Sequence, residues 1–118
     1  WVAMLFGAAS GAVLGLFFHR DGWAGGYGAF RRRMLRLGHI SFFGIGFLNF
    51  LFGLTLTVVT LPPLHIRIAS FGFLIAVFAM PLCCFLTAWK RPLRHLFPIA
   101  VLAVLAGILP VLLGWPLT

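Results

Sequence analysis

Residues 37–89 read LGHISFFGIGFLNFLFGLTLTVVTLPPLHIRIASFGFLIAVFAMPLCCFLTAW, and Arg67 is the only charged side chain among them. The run is broken once, at Pro62-Pro63. Proline lacks the amide proton and clashes with the preceding turn, so the run divides there into two segments, each long enough to cross a bilayer. The connection, Pro62–His65, is too short for anything but an antiparallel helical hairpin. The two expected spans are about 37–61 and about 66–89.

Working outward, Trp1–Phe18 is an uncharged run of 18 residues ending at His19, Arg20 and Asp21. It is just long enough for a hydrocarbon layer of about 30 Å and reads as a first span, 1–18. Gly22–Gly28 (GWAGGYG) has the glycine content of a loop, with Trp23 and Tyr27 suited to the headgroup layer. Ala29–Arg36 mixes arginines with apolar residues, as an amphipathic lead-in to the second span would. Beyond Lys90, Arg91, Pro92 and Arg94 a fourth span runs over about 95–115, ended by Pro116. The expected fold is all-α: a polytopic membrane protein, a four-transmembrane-helix bundle forming one membrane domain over 1–118. The chain opens at Trp1 rather than Met. This is expected of a chain that has lost an N-terminal piece or is part of a longer product. Its first apolar run suits a span better than a cleaved signal.

Composition agrees. The chain is 63% hydrophobic and 8% charged, against about 25% charged residues in soluble domains. A soluble domain of this size could not bury so much apolar surface. The net charge is +8, with Asp21 the only acid. The basic residues sit in the gaps between apolar runs, with no stripe interleaved with solvent-facing aromatics, so nucleic acid is not an expected partner. Cys83 and Cys84 are adjacent inside an apolar run; on a helix they point about 100° apart and cannot pair with each other, so they read as small packing residues.

Orientation follows from charge, because cytoplasmic loops retain Lys and Arg. The loops after the first and third spans share a side and hold Arg20, Arg31, Arg32, Arg33, Arg36, Lys90, Arg91 and Arg94; the opposite side holds only Arg67. The expected location is a bacterial inner membrane or its equivalent, with both termini non-cytoplasmic. Arg31, Arg32, Arg33, Arg36, Lys90, Arg91 and Arg94 are candidate contacts for anionic phospholipid headgroups or a quinone headgroup. The positive-inside rule already accounts for them.

Three features bear on packing. Gly7, Gly11 and Gly15 recur every four residues and form a smooth stripe on the first span. Gly46, Asn49 and Gly53 share a face of the second, with Asn49 expected against a neighbouring helix. Pro81 and Pro110 fall inside the third and fourth spans, where proline kinks or locally opens a helix.

Candidate chemistry is sparse. Haem b between helices needs two histidines at matching depth. His39 with His95, or His39 with His19, meets that condition at the boundary layer. Interfacial histidines also end apolar runs while keeping a polar tip in the headgroups, so no haem or metal is expected. The spans carry no carboxylate, as proton or cation pumping would require. No Ser–His–Asp set, zinc motif, phosphate loop or dinucleotide fingerprint occurs, and no enzyme activity is expected. The sequence favours a non-catalytic subunit of a larger membrane complex, of the respiratory or photosynthetic kind, with other membrane protein subunits as partners. A haem- or quinone-binding electron-transfer subunit and a small dimeric transporter are the alternatives.

Overall fold

A computed structural model describes residues 1–116. It is all-helical, with four α-helices: α1 (Val2–Phe17), α2 (Phe30–Val58), α3 (Pro63–Trp89) and α4 (Phe97–Leu113). A 3-10 turn at Trp23–Gly25 lies between α1 and α2, and a 3-10 segment at Arg91–Leu96 leads into α4. Three stretches are long and apolar enough to cross a membrane: α2, α3 and the segment Arg91–Leu113.

The first helix falls short of the expected span 1–18. Its 16 residues rise about 24 Å, against about 30 Å of hydrocarbon. The Trp1 ring meets Phe50, with centroids 6.0 Å apart, and α2 continues to Val58 beyond that level. The second helix departs in the other direction. The basic lead-in and the apolar run form one helix of 29 residues, since arginine and leucine are good helix formers and nothing breaks the backbone between Phe30 and Val58. It ends before residue 61: Val59 is extended (φ −126, ψ 130). So is Pro62 (φ −58, ψ 140), and Pro63 opens α3. A residue preceding proline is kept out of the helical region, whereas a proline is tolerated in a first helical turn. The same tolerance places Pro98 in the first turn of α4. Helix α3 runs on through Pro81 to Trp89.

The helices pack in chain order, α1 on α2, α2 on α3 and α3 on α4. α3 is the central element, with Ala69, Gly72, Phe73, Ala76 and Val77 all buried. One apolar cluster joins Ile45 of α2, Ala76 and Val77 of α3, and Ala103 of α4. A second gathers Phe52, Leu61, Ala69 and Phe73. The molecule is 55 Å long and 27 by 20 Å across. Most of its large apolar side chains point outward, among them Leu5, Phe47, Phe71, Leu102 and Leu109. That is the surface expected when the surrounding solvent is lipid.

The tightest contact joins α3 to α4. A Cβ added to Gly72 would lie 2.6 Å from the Ala106 carbonyl carbon and 2.9 Å from the Ala103 oxygen; one on Gly107 would collide with the Phe73 ring. Ala69, Gly72 and Ala76 face Ala100, Ala103 and Gly107, all six buried. Small residues at three- and four-residue spacing let two backbones touch, and in a bilayer such packing replaces the missing hydrophobic drive.

Candidate functional site

The antiparallel seam between α1 and α2 holds two of the polar side chains that the fold turns inward, Arg32 and His39, while Thr87 is buried on α3 and Asn49 of α2 bonds to α3. Reading α1 backwards and α2 forwards, Phe18 meets Arg32, Gly11 meets His39, Gly7 meets Phe43 and Ala3 meets Gly46. Arg32, His39, Phe43 and Gly46 recur at helical spacing, so one face of α2 supplies the whole series.

Arg32 has separated from its neighbours. Arg31 and Arg33 are exposed, while Arg32 is only 2% exposed. Its guanidinium donates to the Phe18 carbonyl at 2.9 Å and reaches the Arg20 carbonyl at 3.5 Å. These oxygens lie just past the end of α1, where the helix dipole is negative; the Arg20 oxygen also accepts from the Trp23 N–H at 3.1 Å. The guanidinium also lies over the rings of Phe18 (4.6 Å), Tyr27 (5.1 Å) and Trp23 (5.7 Å). Phe17 stacks on Trp23 at 5.4 Å. The Gly22–Gly28 segment is therefore wrapped round a cation rather than free in the headgroups. The wrapping forces Ala24 (φ 53), Gly25 (φ 88) and Gly26 (φ 93) into positive φ. Glycine adopts that region freely; Ala24 costs about 1 kcal/mol there.

One α-helical segment further along, His39 lies flat against α1. Its Nδ1 is 2.7 Å from the Gly7 carbonyl and 3.4 Å from Ser10 Oγ, whose hydroxyl donates to the same carbonyl at 3.0 Å. A carbonyl only accepts, so Nδ1 carries the proton and donates to Gly7. A Cβ on Gly11 would overlap the His39 ring, and one on Gly7 would come within 2.7 Å of the Phe43 ring. Gly15 has nothing within 4 Å of the corresponding point. The stripe thus divides, with Gly7 and Gly11 seating α2 side chains and Gly15 open.

On α2, a Cβ added to Gly46 would lie 3.3 Å from Ala3, and one added to Gly53 would meet nothing within 4 Å. Asn49 is half-buried and donates through Nδ2 to Ile45 of its own helix at 3.0 Å and to Phe73 of α3 at 3.3 Å. No protein-family model, curated protein or solved structure matches this chain. Its site is therefore read from its own geometry.

The remaining histidines lie apart from this seam. His19 is exposed beyond α1, and His95 is exposed beside Arg91, Pro92 and Arg94. His39 is turned toward α1, whereas the segment carrying His95 packs on α3. Among the described residues no group of three or more His, Cys, Asp or Glu is placed to hold a metal. Cys83 and Cys84 are buried and unpaired. Lys90, Arg91 and Arg94 are exposed, Arg36 half-buried. Arg36 lies 4.6 Å from the Tyr27 ring and Arg91 5.1 Å from that of Phe30.

Sequence reasoning passed over Arg32 as an anchor and Gly72 with Gly107 as a helix contact. Four arginines within six residues carry nothing to single out the second. The periodicity of Ala69–Gly72–Ala76 against Ala100–Ala103–Gly107 was available as a signal, but alanine reads as apolar filler unless scored as a small residue.

Proposed function

We propose that the chain is a non-catalytic integral-membrane subunit of a larger assembly, in a bacterial inner membrane or its equivalent. α1 serves as a short fourth crossing, and both termini face away from the cytoplasm. The observation that supports a protein partner is the seam on α2. Its small and polar positions, Gly46, Asn49 and Gly53, run past the level of Trp1. Ala3 and Met4 cover Gly46, and Asn49 is bonded to α3, but nothing is seated at Gly53. The last two turns of α2 thus continue a helix-packing surface that no helix covers among the described residues. A transmembrane helix of a neighbouring subunit fits that surface, because a small residue lets backbones approach closely. The inward-facing polar groups of the α1–α2 seam are used in holding helices together, which suits a packing subunit better than a catalyst. Anionic phospholipids are the proposed lipid contacts of the exposed arginines.

The test is a photo-crosslinking amino acid at Gly53 in intact membranes, with one at exposed Leu102 of α4 as control. The expected result is an adduct of one defined protein mass from Gly53 only, and a Gly53→Leu variant missing from the high-mass band on native gels. Adducts with lipid alone, or with a second copy of the chain, overturn the reading. So does a haem band in a reduced-minus-oxidised spectrum that vanishes in His39→Ala.

A further inference from the structure

Arg67 is the one basic residue at the Pro62–Pro63 end of the molecule, and charge asymmetry gives it no reason to be there. It is exposed on α3 at the mouth of a groove of about 440 Å³. The groove is lined by Gly72 of α3 and Ala103 and Ala106 of α4, with Leu64, Ile68, Phe71 and Ile75 beside them. The floor is shallow because the α3 and α4 backbones touch there: only small residues permit the contact, and small residues leave a furrow above it. From Arg67 to Ile75 the furrow runs about 12 Å along the helix axis. Its ordering is amphiphilic, with a permanent cation one turn in from the Leu64 end and an apolar trough running on from it to Ile75.

We infer that this furrow holds one acyl chain of an anionic phospholipid, with the headgroup phosphate on the Arg67 guanidinium. The phosphate is the partner that a guanidinium fork recognises best, because two parallel N–H donors match two phosphate oxygens. In phosphatidylcholine the choline cation repels the guanidinium and cancels the phosphate's charge, so an anionic lipid is favoured. The trough selects for a tail. This site lies at the opposite end of the molecule from the arginine-rich loops and does not depend on the subunit reading above.

The experiment is native mass spectrometry of the detergent-purified full chain, titrated separately with phosphatidylglycerol, phosphatidylcholine and inorganic phosphate. Arg67→Gln and Ala106→Phe are the test variants; Arg94→Gln, at the other end, is the control. The expected result is one tightly retained phosphatidylglycerol, favoured over phosphatidylcholine. Retention falls about fivefold in Arg67→Gln, the weight of one basic side chain near an anionic headgroup. It is also lost in Ala106→Phe, which fills the trough while leaving Arg67 in place, and it persists in Arg94→Gln. Equal retention of the two lipids, or of phosphatidylglycerol by parent and Arg67→Gln, overturns the site. Displacement of the lipid by inorganic phosphate at equal concentration shows that the trough contributes nothing, and also overturns it. A dimer that Ala106→Phe abolishes, with no lipid retained, assigns the furrow to a second copy instead.

Discussion

Arg32 and Arg33 are neighbours in sequence with opposite fates, and substitutions should separate them. Arg32 is buried against carbonyl oxygens beyond α1 and three aromatic rings; Arg33 is exposed. Hydrogen bonds from a charged donor contribute about 1.5–3 kcal/mol each, and a desolvated cation–π contact about 2 kcal/mol. These terms are not additive. We expect Arg32→Ala to destabilise the detergent-solubilised protein by about 2–4 kcal/mol, and Arg33→Ala by less than about 0.5 kcal/mol. Arg32→Lys should recover only part of the loss, since a point charge cannot fork to two carbonyls. Thermal unfolding followed by circular dichroism checks this; equal stability of Arg32→Ala and Arg33→Ala would sink the anchor. At this scale the sequence was least informative. A residue's burial depends on which helix face it falls on, and the run of arginines hides the face. Asn49 was more legible, because a lone amide in an apolar run has to find an acceptor, and its bond to Phe73 of α3 is the result.

Among elements, the glycines rank the seams by what an added methyl group would strike. At Gly72 it would strike the backbone of α4, which moves only if the whole helix moves. At Gly11 it would strike the His39 ring, a side chain with a rotamer to change. At Gly15 and Gly53 it would strike nothing. The expected order of destabilisation by alanine is therefore Gly72 first, Gly11 second, and Gly15 and Gly53 close to neutral. Overpacking a dense contact costs about 1–3 kcal/mol, which sets the scale for Gly72→Ala. Gly11→Ala should also loosen the bond from His39 to Gly7. Denaturation of the four variants side by side gives the order; Gly15→Ala as damaging as Gly72→Ala would contradict it. The element boundaries repeat the lesson in another form. The double proline separated α2 from α3, because its effect is local, but Pro63 opens α3 where residues 62–65 were expected to be the connection. The joining of the basic lead-in to α2 depended on the absence of any breaker, which a charge-based division into loop and span overlooks.

For the whole molecule, the division of charge sets a vectorial prediction. The arginine-rich end carries eight basic residues and the Pro62–Pro63 end one. Each basic residue carried across a membrane opposes insertion, so the proposed orientation keeps the eight on the cytoplasmic side. The protein's own cysteines make this testable without first removing them: Cys83 and Cys84 are 6% and 3% exposed and unpaired, and sit within α3, out of reach of a charged maleimide. New cysteines belong at Gly22, where nothing lies within 4 Å of an added Cβ and φ is −81, and at exposed Leu64. In intact cells an impermeant maleimide should modify Leu64→Cys and leave Gly22→Cys untouched; permeabilisation should expose the latter. The reverse pattern would place the arginine-rich end outside and defeat the orientation. α1 adds a further consequence. Its C-terminal end is fixed to α2 through Arg32, and that register sets the depth of Trp1. Trp1 sits beside Phe50, eight residues before α2 ends, or about 12 Å along the axis. A cysteine at Trp1 should resist the impermeant reagent in intact cells even though Leu64→Cys, at the same end of the molecule, reacts. Equal labelling of the two would mean that Trp1 lies at the surface that the end of α2 reaches, and that the seam register described above does not hold in the membrane.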